Sequence, residues 1–309
     1  AILVTNKAGL SAYRAKVFVD CTGDADLAAW AGAKFHKGKD KPGTMMPATH
    51  CFVLTNVDEK AYRTGEHLFC ANPKSPIYPI LKSGKYPLIT DFHIYNIPVG
   101  PGAIGFNAGH LFKVDGTDPI SLSDAMIHGR KIASSIRSAL AEFSPAAFKN
   151  TFLSATGALM GIRETRRIVG DYVLTHQDYL ARRSFADEIG RNCYCIDVHN
   201  KSAKVAQRPE DYQKMEDKIM QRYGPGESHG IPYRCLTPKG LSNVLVAGRS
   251  ISCDQVVQGS VRVMPTCLVT GEAAGMAAAH AAKRGKPDVH KVDTDMLRRR
   301  LKKFGVYLP

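Results

Sequence analysis

No stretch of this chain approaches the roughly 20 consecutive apolar residues that a membrane-spanning helix needs. The longest run of small residues, 273–282, is mostly alanine and is interrupted by His280. C-x-x-C spacing is missing as well. The eight cysteines (Cys21, Cys51, Cys70, Cys193, Cys195, Cys235, Cys253 and Cys267) are scattered, which excludes a zinc ribbon or a ferredoxin-type cluster. The only close pair is Cys193-Tyr194-Cys195; on a strand both thiols would share one face, and a reduced, structural pair is the expected state. Such cysteine usage fits a cytoplasmic protein. Acidic residues are in deficit: 42 Lys and Arg less 28 Asp and Glu leave a net charge of +14. That excess could serve nucleic acid, an acidic membrane surface or anionic small molecules. The basic residues cluster tightly only at Arg163/Arg166/Arg167 and over 298–303, where Leu297 and Leu301 would face inward on a short helix with a solvated basic face. No aromatic-interleaved basic stripe occurs, so neither nucleic acid nor membrane is the expected partner.

What is present is ordinary globular material, 44% hydrophobic and 23% charged over 309 residues, enough for two domains around one ligand. The first twenty residues have neither an initiator Met nor a signal-peptide layout. They read as a hairpin already in progress, so the expectation is a chain that starts inside a domain. Residues 15–20 then read as a buried strand, Cys21-Thr22-Gly23-Asp24 as a turn, and 25–31 as a helix stopped by Gly32. A second style of sequence fills 38–233. Strands are expected over 51–57, 88–95 and 165–175, and a turn at 98–102. A helix is expected over 122–143, opened by a Ser121/Asp124 capping box, and a polar helix over 209–223. From Asn243 the first style returns, with an apolar strand at 243–247 of the kind buried in a parallel sheet. A helix follows from Pro265 to Arg284, stopped by Gly285, and a last helix over 293–304, stopped by Gly305. The expected division is therefore 1–37 and 234–309 as one interrupted domain, with 38–233 inserted. A cleft at such a junction is where ligands tend to bind.

The helix after Pro265 presents Gly271, Ala274, Gly275 and Ala278 at i, i+3, i+4, i+7 spacing, which lets another backbone or a flat ligand come close. Its first N–H groups, near Thr266 and Cys267, would carry about half a positive charge. Plain packing against a sheet explains the same stripe equally well. Gly248-Arg249 ends a strand with an arginine able to fork onto phosphate, although a surface loop explains that dipeptide too.

Four ordered segments narrow this. VFVDCTGDADLAAWAGA, TGALMGIRETRRIVGDYVLT, IPYRCLTP and NVLVAGRSISCDQVVQGSVRVMPTCLVTGEAAGMAAA together resemble the FAD-dependent oxidoreductase family, within the glutathione-reductase-like flavoproteins. Heterodisulfide reductase and fumarate-reductase-type flavoproteins are distant relatives of that group. The resemblance covers nearly the whole chain. It implies an α/β, Rossmann-like FAD-binding domain, here incomplete, with an inserted β-rich α+β substrate domain. It also implies Thr22, Gly23 and Asp24 near the ADP half of FAD, and Gly248, Arg249 and Ser250 at the pyrophosphate and ribityl chain. Ser260, Arg262, Val263, Met264, Pro265 and Thr266 would run along the isoalloxazine ring. The departure is the lack of a G-x-G-x-x-G between strand and helix. Gly100-x-Gly102-x-x-Gly105 matches only the spacing and lies in a hairpin region. The expectation is a fragment, a processed chain or half of a split protein.

For substrate, Arg163 and Arg166 are candidates to clamp a carboxylate or phosphate, unless Glu164 or Asp171 pairs with them. His199 is a candidate proton donor, and Tyr233-Arg234 would supply a second anchor. The expected activity is hydride exchange between FAD and a small polar, anionic substrate. Two readings compete with it: a non-catalytic half that needs a partner carrying the glycine-rich turn, and a basic module that binds anions or nucleic acid.

Overall fold

Backbone contacts divide the chain into two units, one made of Ala1–Lys37, Arg166–Ile196 and Arg222–Pro309, the other of Gly38–Thr165 and Asp197–Gln221. The stretches 166–196 and 222–233, read from the sequence as insertion, thus belong with the two ends of the chain. The structure, a computed structural model of the chain, describes residues 1–38, 45–199 and 222–309. It is mixed α/β, built from several small sheets. No described helix is long and apolar enough to cross a membrane.

The first unit opens with an antiparallel hairpin, β1 (Ile2–Asn6) and β2 (Gly9–Tyr13). β3 (Phe18–Asp20) follows, then α1 (Asp26–Trp30) and β4 (Phe35–Lys37). Asp20 ties strand to helix. One of its buried oxygens accepts from the Thr22 N–H at 3.0 Å and the Thr22 hydroxyl at 2.8 Å, and the other accepts from Ala28 N–H at 2.8 Å. Ala25, the residue before α1, has a left-handed backbone and cannot cap it. Thr22 Oγ1 does so from a turn away, accepting from Asp26 N–H at 3.0 Å.

The second unit holds β5 (Phe52–Thr55), α2 (Glu59–Thr64), α3 (Ile77–Ser83), β6 (Ile94–Gly100), β7 (Ala103–Ala108), α4 (Pro119–Phe143), α5 (Pro145–Phe148) and β8 (Phe152–Thr156). Its strands form one antiparallel sheet in the order β6-β7-β5-β8. Burial alternates along β5 and β7, and Phe52 stacks on its cross-strand partner Phe106 at 4.9 Å. Ala125, Ile132, Ile136, Ala139 and Leu140 of α4 share one core with Leu54, Ile104 and Phe106. Two expectations are corrected here. The strand expected over 88–95 begins only at Ile94 and runs on through Pro98, which an edge strand tolerates because the missing N–H faces outward. The helix expected from Leu122 begins at Pro119. Asp118, not Ser121, accepts from a helix N–H (Ile120, 3.0 Å), while Ser121 Oγ accepts from Asp115 N–H.

The chain then returns to the first unit. β9 (Arg166–Ile168) pairs antiparallel with β4, and the strand expected over 165–175 stops there. Beyond it lie only single bridges, Gly170 to Pro238 and Leu174 to Cys253, before α6 (His176–Leu180). β10 (Glu188–Asn192) and β11 (His229–Pro232) pair antiparallel. Cys193 and Cys195 follow β10 instead of lying on a strand, and all eight cysteines are free thiols. β12 (Val244–Val246) runs parallel to β3, Val244 opposite Phe18 and Val246 opposite Asp20; all three of its residues are buried. α7 (Gln255–Val261), α8 (Met264–Ala281) and α9 (Thr294–Lys303) complete the unit. α8 ends three residues before the expected Arg284. α9 matches its expectation, with Asp293 as cap and Leu297 and Leu301 buried. The polar helix expected over 209–223 falls almost wholly outside the described residues.

Candidate cofactor and substrate sites

Parallel strands of an α/β sheet offer ligands their carboxyl ends, and β3 and β12 end side by side. After β3 the chain turns at Gly23, with φ +81°, and after β12 at Gly248, with φ +83°. Both conformations favour glycine. A Cβ on Gly23 would also come within 2.6 Å of the Arg249 guanidinium. The two turns are stitched together: Ser250 Oγ donates to Gly23 O at 2.6 Å, and Arg249 Nη2 donates to Asp24 Oδ1 at 2.8 Å.

The start of α8 meets the same place. Gly248 N–H donates to Thr270 Oγ1 at 3.0 Å, and Cys267 Sγ is 3.8 Å from where a Gly248 Cβ would stand. Burial, more than any charge, holds the Cys267 thiol above its usual pKa, so it is a neutral neighbour. Val263 caps α8 without a side-chain hydrogen bond, Pro265 has no N–H, and no acid lies in the first turn. Cys267 N–H already donates to Val263 O at 3.0 Å, so of the two N–H groups the sequence named, only that of Thr266 stays at the helix's open end. An 18-residue helix thus leaves its positive end uncompensated by its own residues. Met264 and Leu268 are exposed beside it, 81% and 74%, and Gly271 and Gly275 face open space.

The remaining cofactor candidates hold the frame. Thr22 serves the turn before α1. Ser260 and Thr266 are buried on either side of Asn192: Ser260 accepts from Asn192 Nδ2 at 2.7 Å and donates to Tyr194 O, and Thr266 donates to Asn192 Oδ1 at 3.1 Å. Only backbone atoms and the half-buried Arg262, Val263 and exposed Met264 and Pro265 remain on this stretch to face a ligand.

Of the arginines proposed as anchors, two serve structure. Arg166 donates to Asp26 Oδ1 at 2.6 Å and to Asp24 O at 3.0 Å, and its guanidinium lies over the Phe35 ring; it pins the entry to α1. Arg234 forks onto Asp187, 2.9 and 3.1 Å, and covers Tyr172. That pair is half exposed, worth at most about 1 kcal/mol, and its charge is already matched. Arg167 is buried and donates to Cys253 O. Glu164 is buried and accepts from Met46 N–H at 2.9 Å.

Arg163 is 7% exposed and donates to Pro47 O (2.8 Å), Thr49 Oγ1 (2.7 Å) and Asn107 Oδ1 (3.2 Å). In the same unit three histidines meet. His110 lies between Asp91 (2.8 Å to Nδ1) and His199 (2.9 Å from Nε2 to Nδ1), and His199 Nε2 is 3.2 Å from Asp197. His93 stacks on His110 at 4.0 Å. Burial and then Arg163 bring the pKa of His199 down to about 4, despite Asp197. Burial, His110 and Arg163 push His93 well below its usual value. Both shifts favour the neutral ring at pH 7.

A family model described as FAD dependent oxidoreductase matches residues 1–301. The chain belongs to this family. No curated protein and no solved structure matches it.

As an FAD-dependent oxidoreductase the chain takes FAD as cofactor, and the residues around Gly23 and Gly248 fit that group. Two glycine turns offer bare backbone for close approach, and an uncapped helix end favours an electron-rich edge. Sequence reasoning found these turns but missed His93, His110, Asp91, Asp197 and Asn192. Asp-x-His occurs at Asp91/His93 and Asp197/His199 but also at Asp288/His290 outside the cluster, so it does not single these histidines out.

Proposed function

We propose that this oxidoreductase exchanges a hydride with a small, polar, anionic organic substrate. FAD, when bound, supplies the two-electron centre at its N5. The chain's own residues bind and orient. The turns at Gly23 and Gly248 would let the phosphates and ribityl chain approach bare backbone, and the positive end of α8, already in place, would favour negative charge on a bound ring's polar edge. The excess of 14 positive charges favours anionic substrates in general.

The observation that carries this reading is the convergence of Gly23, Gly248 and the first turns of α8 at the ends of β3 and β12. A second reading is favoured by the lack of G-x-G-x-x-G between a strand and a helix: FAD would then be held jointly with a segment that carries that turn.

The substrate class is tested by mixing flavin-loaded protein anaerobically with small carboxylates and their uncharged analogues and following the bleaching of the flavin's visible band. Carboxylates should bleach it faster. Equal rates with uncharged analogues would overturn the anionic assignment.

A further inference from the structure

We propose that His93, His110 and His199 hold one divalent transition-metal ion. All three lie in the unit Gly38–Thr165 with Asp197–Gln221, so the argument does not depend on where FAD binds.

Proton counting carries it first. Asp91 Oδ2 is 2.8 Å from His110 Nδ1, and a carboxylate there accepts an N–H. That leaves His110 Nε2 with a lone pair. Asp197 Oδ1 is 3.2 Å from His199 Nε2, which leaves the lone pair of His199 on Nδ1. These two nitrogens face each other at 2.9 Å. Two lone pairs at that distance repel unless something positive lies between them. His93 adds a third imidazole, stacked on His110 and edge-on to His199 at 5.3 Å. Its Nδ1 is sealed from solvent and has no hydrogen-bond partner. One ring nitrogen from each of the three lies within 4.8 Å of the others.

Second comes the shell behind the ligands. Metal-bound histidines usually donate their other N–H to a carboxylate, which fixes the tautomer and raises ligand basicity. Two of these three have one. Asp91 and Asp197 also place negative charge behind the ligands. Arg163 is close enough to depress both His93 and His199, so it weakens the site without cancelling it.

Three neutral imidazoles suit Zn²⁺ or a neighbouring late first-row ion, and not Ca²⁺ or Mg²⁺, which want oxygen. Bonds of about 2.05 Å put tetrahedral ligands roughly 3.4 Å apart. The His110–His199 pair would open by about half an ångström and His93 would close in. His110 also lines a cavity of about 580 Å³ with Thr90, Phe112 and His128, which leaves space for a fourth ligand such as water.

The test uses the full chain stripped with a chelator and titrated with Co²⁺, whose visible absorption reports four-coordinate nitrogen sites. One equivalent should bind and be displaced by Zn²⁺. His93→Gln should abolish the band, and Asp197→Asn should weaken binding 10–100-fold. His67→Gln, at an exposed histidine outside the cluster, should change nothing. No band in the native chain would overturn the proposal and leave a shared proton between His110 and His199 as the answer. Unchanged affinity in Asp197→Asn would overturn it too, and that variant decides the matter if His93→Gln loses its native circular dichroism.

Discussion

His229 is fully buried beside Tyr179 and Tyr223. The Tyr223 hydroxyl donates to Tyr179 O at 2.8 Å and so accepts from His229 Nδ1–H at 2.8 Å, which makes the ring a neutral donor. Burial, with Arg191 adding to it, brings its pKa down to about 4, against Asp178. An unfolded chain takes this proton near the ordinary value of about 6.5. His229 therefore favours the fold fully above pH 6.5, loses that contribution as the pH falls towards 4, and changes nothing further below. The window is worth about 3 kcal/mol. Urea midpoints at pH 7 and pH 4.5 should show this drop in the native chain and a smaller one in His229→Gln. An equal drop in both would show that another group titrates.

Helix starts show what a sequence leaves open. The stripe Ile132, Ile136, Ala139, Leu140 and Phe143 made the body of α4 legible, because a 3.6-residue period survives any choice of boundary. Its start did not, since Asp115, Thr117, Asp118, Ser121 and Asp124 all offer a capping oxygen within ten residues. Tertiary packing sets the choice at Asp118, with Pro119 in the first turn. Asp118→Ala should cost about 1 kcal/mol in a denaturation series, and Asp124→Ala, outside the cap, under half of that. Similarly, Pro98 looked like a turn residue because proline punctuates sequences. It lies in an edge strand, a placement only the sheet order reveals.

At the scale of the whole molecule, segments in which neighbouring residues act together were legible. The turn at 21–24, the strand-and-turn at 244–250 and the helix from 264 each carry their own signature, and their meeting followed from a parallel pairing of β3 with β12. The histidine cluster carries no such signature: His93, His110 and His199 come from three separate places in the chain, and only folding brings them within reach of one another. The arginines Arg163, Arg166 and Arg167 lie within five residues of one another in sequence yet have separate partners. The account depends most on Gly248. Native chain and Gly248→Val should be titrated with FAD and followed by flavin fluorescence. Saturable quenching by the native chain, lost or weakened at least tenfold in the variant, is the predicted result. Quenching of equal strength by both chains would contradict the site, and quenching by neither would contradict FAD binding by this chain alone.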